Sequence, residues 1–326
     1  MTTLQFKNVY VKSENVIVGK LEKEGPLGSY FDDYTCDPYL NQPSFEQAEI
    51  EMNRLCVDKC LKKGKAETVD LIYAGDLINQ LCTHYLASEL KAPFVGLYGA
   101  CSNSALTIGH AAIAVEHLHM KHVLAFTSSH TQAAERQFRY PNEYGVQKKE
   151  CSTSTVTASG AVLLSNEFSD LKVTSFTIGS VVDWQFSDVN DMGKAMAPAA
   201  YQTIMTHFED LGRTFDDYDL IVSGDLGKIG YAMLSEMIEK ARFQLENKLN
   251  DCGIMIYDIN HQDVFCGGSG CGCSMAVLLG KLFKDLRSKK MKRILLVATG
   301  SLHNVFLTQQ KLSIPSVAHA ICIERS

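Results

Sequence analysis

Val69-Asp-Leu-Ile-Tyr-Ala-Gly-Asp-Leu77 returns as Tyr218-Asp-Leu-Ile-Val-Ser-Gly-Asp-Leu226, with six of nine positions identical. The offset is close to half the chain of 326 residues. Two more features recur in the same order. Gly96-Leu-Tyr-Gly-Ala-Cys-Ser-Asn-Ser-Ala105 is echoed by Cys266-Gly-Gly-Ser-Gly-Cys-Gly-Cys-Ser-Met275. His122-Val-Leu-Ala-Phe-Thr-Ser-Ser-His130 is echoed by Arg293-Ile-Leu-Leu-Val-Ala-Thr-Gly-Ser-Leu-His303. Three matches in one order argue for two similar halves, 1–165 and 166–326.

Within each half, strand and helix alternate. Residues 69–75 and 218–223 are short apolar runs ending at Gly-Asp, as buried parallel strands do. Ala105, Ile108, Ala112, Val115 and Leu118 fall at helical spacing and predict a helix over 104–119. Residues 122–127 then read as a strand. In the second half, 274–286 is the matching helix and 293–298 the matching strand. Residues 45–62 and 228–248 read as amphipathic helices. Residues 160–165 and 173–183 suggest an antiparallel pair around the turn 166–170, with 318–324 as its C-terminal counterpart. The expectation is an α/β fold: two pseudo-duplicated βαβαβ halves stacked as an α/β/α/β/α sandwich around central buried helices.

Composition bounds the function. Hydrophobic residues make up 46% and charged residues 21%, which sets disorder, collagen and coiled coil aside. A net charge of -6 offers no nucleic-acid footprint. No apolar run is long enough to span a bilayer, and the first residues predict no signal peptide. The 11 Cys read as reduced and mostly packed. Cys266, Cys271, Cys273 and His261 lack the paired two-residue gaps of a structural zinc site, so no metal and no cofactor are expected.

The duplication, with Cys101 opening a buried helix, resembles the thiolase superfamily, in particular ketoacyl-acyl carrier protein synthase III. Ala100-Cys101-Ser102 looks like that family's nucleophile turn. A thiol at a helix N-terminus sees the positive end of the macrodipole, which favours thiolate. The alternative is a small cysteine packed between the halves. The synthases also place a histidine and an asparagine against the thioester oxygen. Gly224 stands at the histidine position and Ser269 at the asparagine position. His261-Gln262 lies too close to the glycine turn to take that role.

A nearer resemblance is to a family of stage V sporulation proteins from endospore-forming bacteria. It rests on 74–80, 94–104, 128–145 and the ending from Ile314 to Glu324. It implies a thiolase-like fold without condensing activity. It implies binding of dipicolinic acid, bare or as its calcium chelate, at a channel that loads the spore and empties it at germination. Integral membrane subunits of that channel are the implied partners, with a homodimer and peripheral attachment to the spore inner membrane. The rival reading is an active ketoacyl-synthase-like acyltransferase using Cys101.

Dipicolinate is a flat ring with two carboxylates, so its site needs cations or N–H and O–H donors, and planar walls. His130, Arg136 and Arg139 are close in sequence and suit carboxylates, or else form surface ion pairs. Asp76 and Asp225 follow matching strands, where α/β sheets place ligand contacts; helix capping is the alternative. Cys101 and Ser269 would line the site. His110, on the buried helix, reads as a core histidine or a ligand. The run Lys289, Lys290, Lys292 and Arg293 reads as a solvated face or a contact for an anionic bilayer.

Overall fold

The repeated aspartates at the start of the matching segments do the same thing twice. Asp70 Oδ2 accepts the backbone N–H groups of Lys121 and His122 at 2.8 and 2.9 Å. Asp219 Oδ2 accepts those of Lys292 and Arg293 at 2.7 and 2.9 Å. Each carboxylate fixes the register of the neighbouring parallel strand where it begins. The chain is described by a computed structural model that covers residues 2–78, 82–138, 148–245 and 247–326.

Among the described residues the strands are β1 (Thr3–Gln5), β2 (Tyr10–Val18), β3 (Asp33–Tyr34), β4 (Leu71–Asp76), β5 (Phe94–Gly96), β6 (His122–Ser129), β7 (Ser154–Thr155), β8 (Ala158–Ser165), β9 (Leu171–Thr177), β10 (Leu220–Ser223), β11 (Leu249–Asp251), β12 (Gly268–Ser269), β13 (Arg293–Ser301) and β14 (Ser316–Arg325). The helices are α1 (Lys20–Lys23), α2 (Phe45–Gly64), α3 (Thr83–Leu90), α4 (Asn103–His117), α5 (Thr131–Phe138), α6 (Met192–Leu211), α7 (Gly227–Lys240), α8 (Cys252–Ile256), α9 (Cys271–Ala276), α10 (Phe283–Arg287) and α11 (Val305–Gln309). A π-type stretch, Val277–Leu282, joins α9 to α10.

The sheet order β5-β4-β6-β8-β2 is repeated as β11-β10-β13-β14-β9. Directions repeat as well: the first two pairings are parallel and the next two antiparallel in both sets. The sets meet where Tyr10 pairs with Lys172. Helices α2 and α3 cover one outer face, burying Met52, Cys56, Val57 and Leu86. Helices α6 and α7 cover the other, burying Ile204, Phe208, Leu234 and Ile238. Helix α4 packs on β4 and β6 and also on β13 and β14. Together with 271–287 it forms the central layer, carrying Ala105, Ile108, Ala112, Met275, Leu279 and Phe283 into the largest core. This is the five-layer sandwich that the repeat predicts.

Two expectations change, the 160–183 pair and the length of the 228–248 helix. Segments β8 and β9 do not form a hairpin across 166–170. β8 pairs with β2 and β6, and β9 pairs mainly with β14 and β1. β2 lies between them, paired along its length with β8 and at Tyr10 with β9, and it buries Val16, Ile17 and Val18. One further element was not singled out in the sequence: α6, a helix of 20 residues with Pro198 inside it. Interior proline argues against helix in a sequence, but Asp191 accepts from Lys194 N at the start and Gly212 closes the end at φ 62. Its buried Ala195, Ala199 and Ala200 pack close to β13 and β14. Helix α7 also stops at Lys240, before the short edge strand β11.

The central layer is tight at Gly109, where a methyl group would meet the Phe176 ring at 2.3 Å. Alanine favours a helix over glycine by about 1 kcal/mol, whereas overpacking costs about 1–3 kcal/mol. Gly109→Ala should therefore lower the thermal midpoint of the purified chain. A raised midpoint would show that α4 is free to move away from β9.

Candidate functional site

Both central helices begin at the same place. A 3-10 turn, Ala100–Ser102, leads into α4, and the turn Gly268-Ser269-Gly270 leads into α9. Ser104 Oγ and Ser274 Oγ lie 2.7 Å apart between the two helices. Ala100 has φ 52, a left-handed conformation that a residue with a Cβ adopts only when its surroundings hold it. Here Ser102 Oγ donates to Gly99 O at 2.6 Å and Gly99 N donates to Asn103 Oδ1 at 2.7 Å. Cys101 Sγ is thereby set 3.9 Å from Ser269 Oγ.

Asp225 lies behind this pair, 1% exposed. It accepts from Ser269 Oγ at 2.9 Å, Gly270 N at 2.9 Å and Thr299 Oγ1 at 2.7 Å. Burial pushes the Cys101 thiol well above its ordinary range, and the Asp225 carboxylate pushes it the same way. The helix-dipole expectation of a thiolate is corrected here. Desolvation next to a buried carboxyl outweighs the partial charge of a helix end.

In front of Cys101 and Ser269 is a cavity of about 320 Å³. Leu77, Tyr98, Phe138, Met192 and Leu302 supply apolar wall, and Thr153, Thr155, Ser301, His303 and Asn304 supply polar groups. The Phe138 and His303 rings lie 5.7 Å apart at 35°. Ser301 Oγ is buried without a hydrogen-bond partner among the described residues. Glu135 reaches the wall with its carboxylate on Lys148 Nζ and Thr155 Oγ1, each at 3.2 Å. No group of three or more His, Cys, Asp or Glu suited to a metal occurs among the described residues.

The structure brings Cys101 and Ser269 into the wall, with Asp225 directly behind them. It does not bring the other described candidates there. Asp76 is spent on Ile78 N, Cys82 N and Thr83 N, fixing the approach to α3. His130 is fully buried and its Nε2 pairs with Pro38 O at 2.8 Å. Arg136 is ion-paired with Glu46 on the far side of α5. His110 is half-buried between the Tyr73 and Phe176 rings. Arg139 lies outside the described residues. Sequence reasoning did not single out Ser301, His303 or Glu135. His303 had a signal, since it is the echo of His130 in the repeat.

A thiol-bearing turn between duplicated halves defines a thiolase-like protein, and solved structures agree. The 3-oxoacyl-[acyl-carrier-protein] synthase III of Aquifex aeolicus superposes with a TM-score of 0.59, covering 97% of this chain and 99% of its own, at 14% identity. Acetamide-bound OleA of Xanthomonas campestris gives 0.58 over 98% and 100%, at 13% identity. Those similarities establish the fold. The family is narrower: residues 1–324 match the model for stage V sporulation protein AD. The stage V sporulation protein AD of Bacillus subtilis (strain 168) is 46% identical over 321 residues, 98% of this chain and 95% of that protein. The chain belongs to the stage V sporulation protein AD family.

A second buried carboxyl lies under the site. Glu49 of α2 accepts from Ser128 Oγ at 2.6 Å, and Asn53 Nδ2 donates to the same hydroxyl at 2.9 Å. Burial, then the nearby Asp76 carboxylate, pushes Glu49 from 4.5 to about 8. Between those values the folded chain keeps a proton that the unfolded chain has released, so this group makes stability fall as pH rises. Glu49→Gln removes that titration. Its thermal midpoint should drop less than the unmodified chain's between about pH 6 and pH 8.5. Equal drops would show that Glu49 is ionised throughout.

Proposed function

We propose that the chain is a non-catalytic dipicolinate-binding protein of the spore's dipicolinate channel, with the cavity in front of Cys101 as its ligand site. The observation that carries this reading is the thiol itself: it is kept, but the groups that would make it a condensing nucleophile are not. Gly224 stands at the histidine position of the synthases. A Cβ there would lie 2.9 Å from Thr299 N and 3.0 Å from Ala298 Cα, so β13 closes the space a side chain would need. Ser269 stands at the asparagine position and gives its hydroxyl proton to Asp225. Without the synthases' histidine and asparagine, and with the thiol held neutral, the turn serves as cavity wall.

The cavity chemistry suits a flat aromatic acid. Phe138, His303 and Tyr98 offer ring faces, while the Asn304 amide and the Ser301 hydroxyl offer donors for carboxylates. Arg139, outside the described residues, would be a further carboxylate partner. Glu135 would repel a bare dianion and would accept the calcium of a chelate. No helix among the described residues is long and apolar enough to cross a membrane, so attachment to the spore inner membrane would run through integral channel subunits or a surface of the chain. A second copy would pair along the edge strand β5, where Val95 and Tyr98 are exposed.

Acyl transfer through Cys101 is the alternative, favoured by the fold shared with condensing enzymes. Titration calorimetry separates the two. The purified chain should give saturable heat with dipicolinate, measured with and without equimolar calcium. His303→Ala and Cys101→Leu should each weaken binding by about tenfold, a loss of about 1.4 kcal/mol. No heat at millimolar ligand, together with steady turnover of an acyl-CoA, would replace this reading with the acyltransferase.

A further inference from the structure

The end of the sheet opposite the cavity has a composition of its own. There β8 turns into β9, and at the tip Phe168 is 79% exposed. The turn is anchored: Glu167 N donates to Ser165 Oγ at 3.2 Å, and Ser326 N donates to Asp170 O at 2.9 Å. The Tyr10 ring backs Phe168 at 5.4 Å. Beyond the end of α4 a second apolar side chain, Leu118, is 57% exposed. A large aromatic presented to water on a braced turn adds little to the packing of this chain beyond its contact with Tyr10.

The charges around it are sorted. Glu167 is ion-paired with Lys12 and Lys121, and Asp170 with Arg287. Asp70, Glu116 and Asp219 are turned onto backbone N–H groups at the strand starts. Lys7, Lys172, Lys289, Lys292 and Arg325 remain without an ion pair among the described residues. Strand register puts Lys172, Lys292 and Arg325 at one level: Lys172 pairs with Tyr10 and Glu324, Arg325 with Leu171, and Arg325 N bonds Lys292 O. Lys289 lies three residues before Lys292, and Lys7 N is held by Glu116 near the end of α4. A chain of net charge -6 therefore places five cations without an ion pair among the described residues at the end that carries these exposed aromatic and aliphatic tips.

We propose that this end is a docking face for an anionic lipid bilayer, with Phe168 and Leu118 entering the headgroup layer and the surrounding cations facing the lipid charge. Charge complementarity selects the occupant: an apolar protein partner would not need these cations. Docked this way, the chain turns the cavity away from the membrane. The face is independent of which ligand the cavity takes.

Sedimentation of the full chain with phosphatidylcholine vesicles, with and without one-third phosphatidylglycerol, tests this. Binding should require the anionic lipid and fade with added salt. Phe168→Ser should lower the partition constant by about fivefold, and Lys289→Glu with Lys292→Glu by about tenfold or more. Because all three residues are at the surface, the variants should keep the unmodified melting temperature. Three outcomes overturn the proposal: no vesicle binding by the unmodified chain, equal binding to neutral vesicles, or variants that bind as well as the parent. Retention on heparin that depends on Lys289 and Lys292, without vesicle binding, would also overturn it and assign the cations to an acidic macromolecule.

Discussion

The buried carboxylate of Asp225 is the interaction on which the site depends. It comes from the end of β10, and it holds Thr299 of β13 and both Ser269 and Gly270 of the turn that opens α9. Three segments of the second half are thus tied to one group that burial holds above its usual carboxylate range. The first half reaches the same point through Cys101. Isolated, such a carboxylate would be costly; three donors make it tolerable and fix the cavity floor. The same carboxylate disfavours a second negative charge on the sulfur beside it. One residue therefore braces the cavity floor and adds to the burial that raises the thiol beside it.

The duplication explains why this arrangement occurs once. Asp70 and Asp219 still perform the same task, capping the neighbouring strand in each half. Asp76 and Asp225 have parted. Asp76 is consumed by N–H groups of the segment that follows it, whereas Asp225 reaches across to the glycine turn. The scaffold stayed symmetric while the two strand ends diverged, as expected where loops on a rigid core carry function.

The fold was legible because the matching Asp-Leu-Ile and Gly-Asp segments mark buried strand ends, and because Ala105, Ile108, Ala112 and Val115 lie at helical spacing. Helix α6 was not, since Pro198 and a run of alanines carry little amphipathic signal. β2 was hidden by its polar first half, and its insertion between β8 and β9 is a long-range pairing that no local turn signal encodes. Of the site, Cys101 and Ser269 could be read from the glycine-flanked turns. Ser301 could not be ranked, because its place is set by the long-range pairing of β13 with β14, and His303 carried only its echo of His130. Arg136 was misleading for a simple reason: its charge is answered by Glu46, on another helix.

The central claim is that Cys101 is a neutral wall residue held by burial beside Asp225. The most direct measurement is the rate of Cys101 alkylation by iodoacetamide as a function of pH, followed by peptide mass spectrometry. The rate should climb from about pH 6 to pH 9 without levelling, as for a thiol whose ionisation lies above that range. A rate that is already at its plateau near neutral pH would mean a standing thiolate, and would contradict the account.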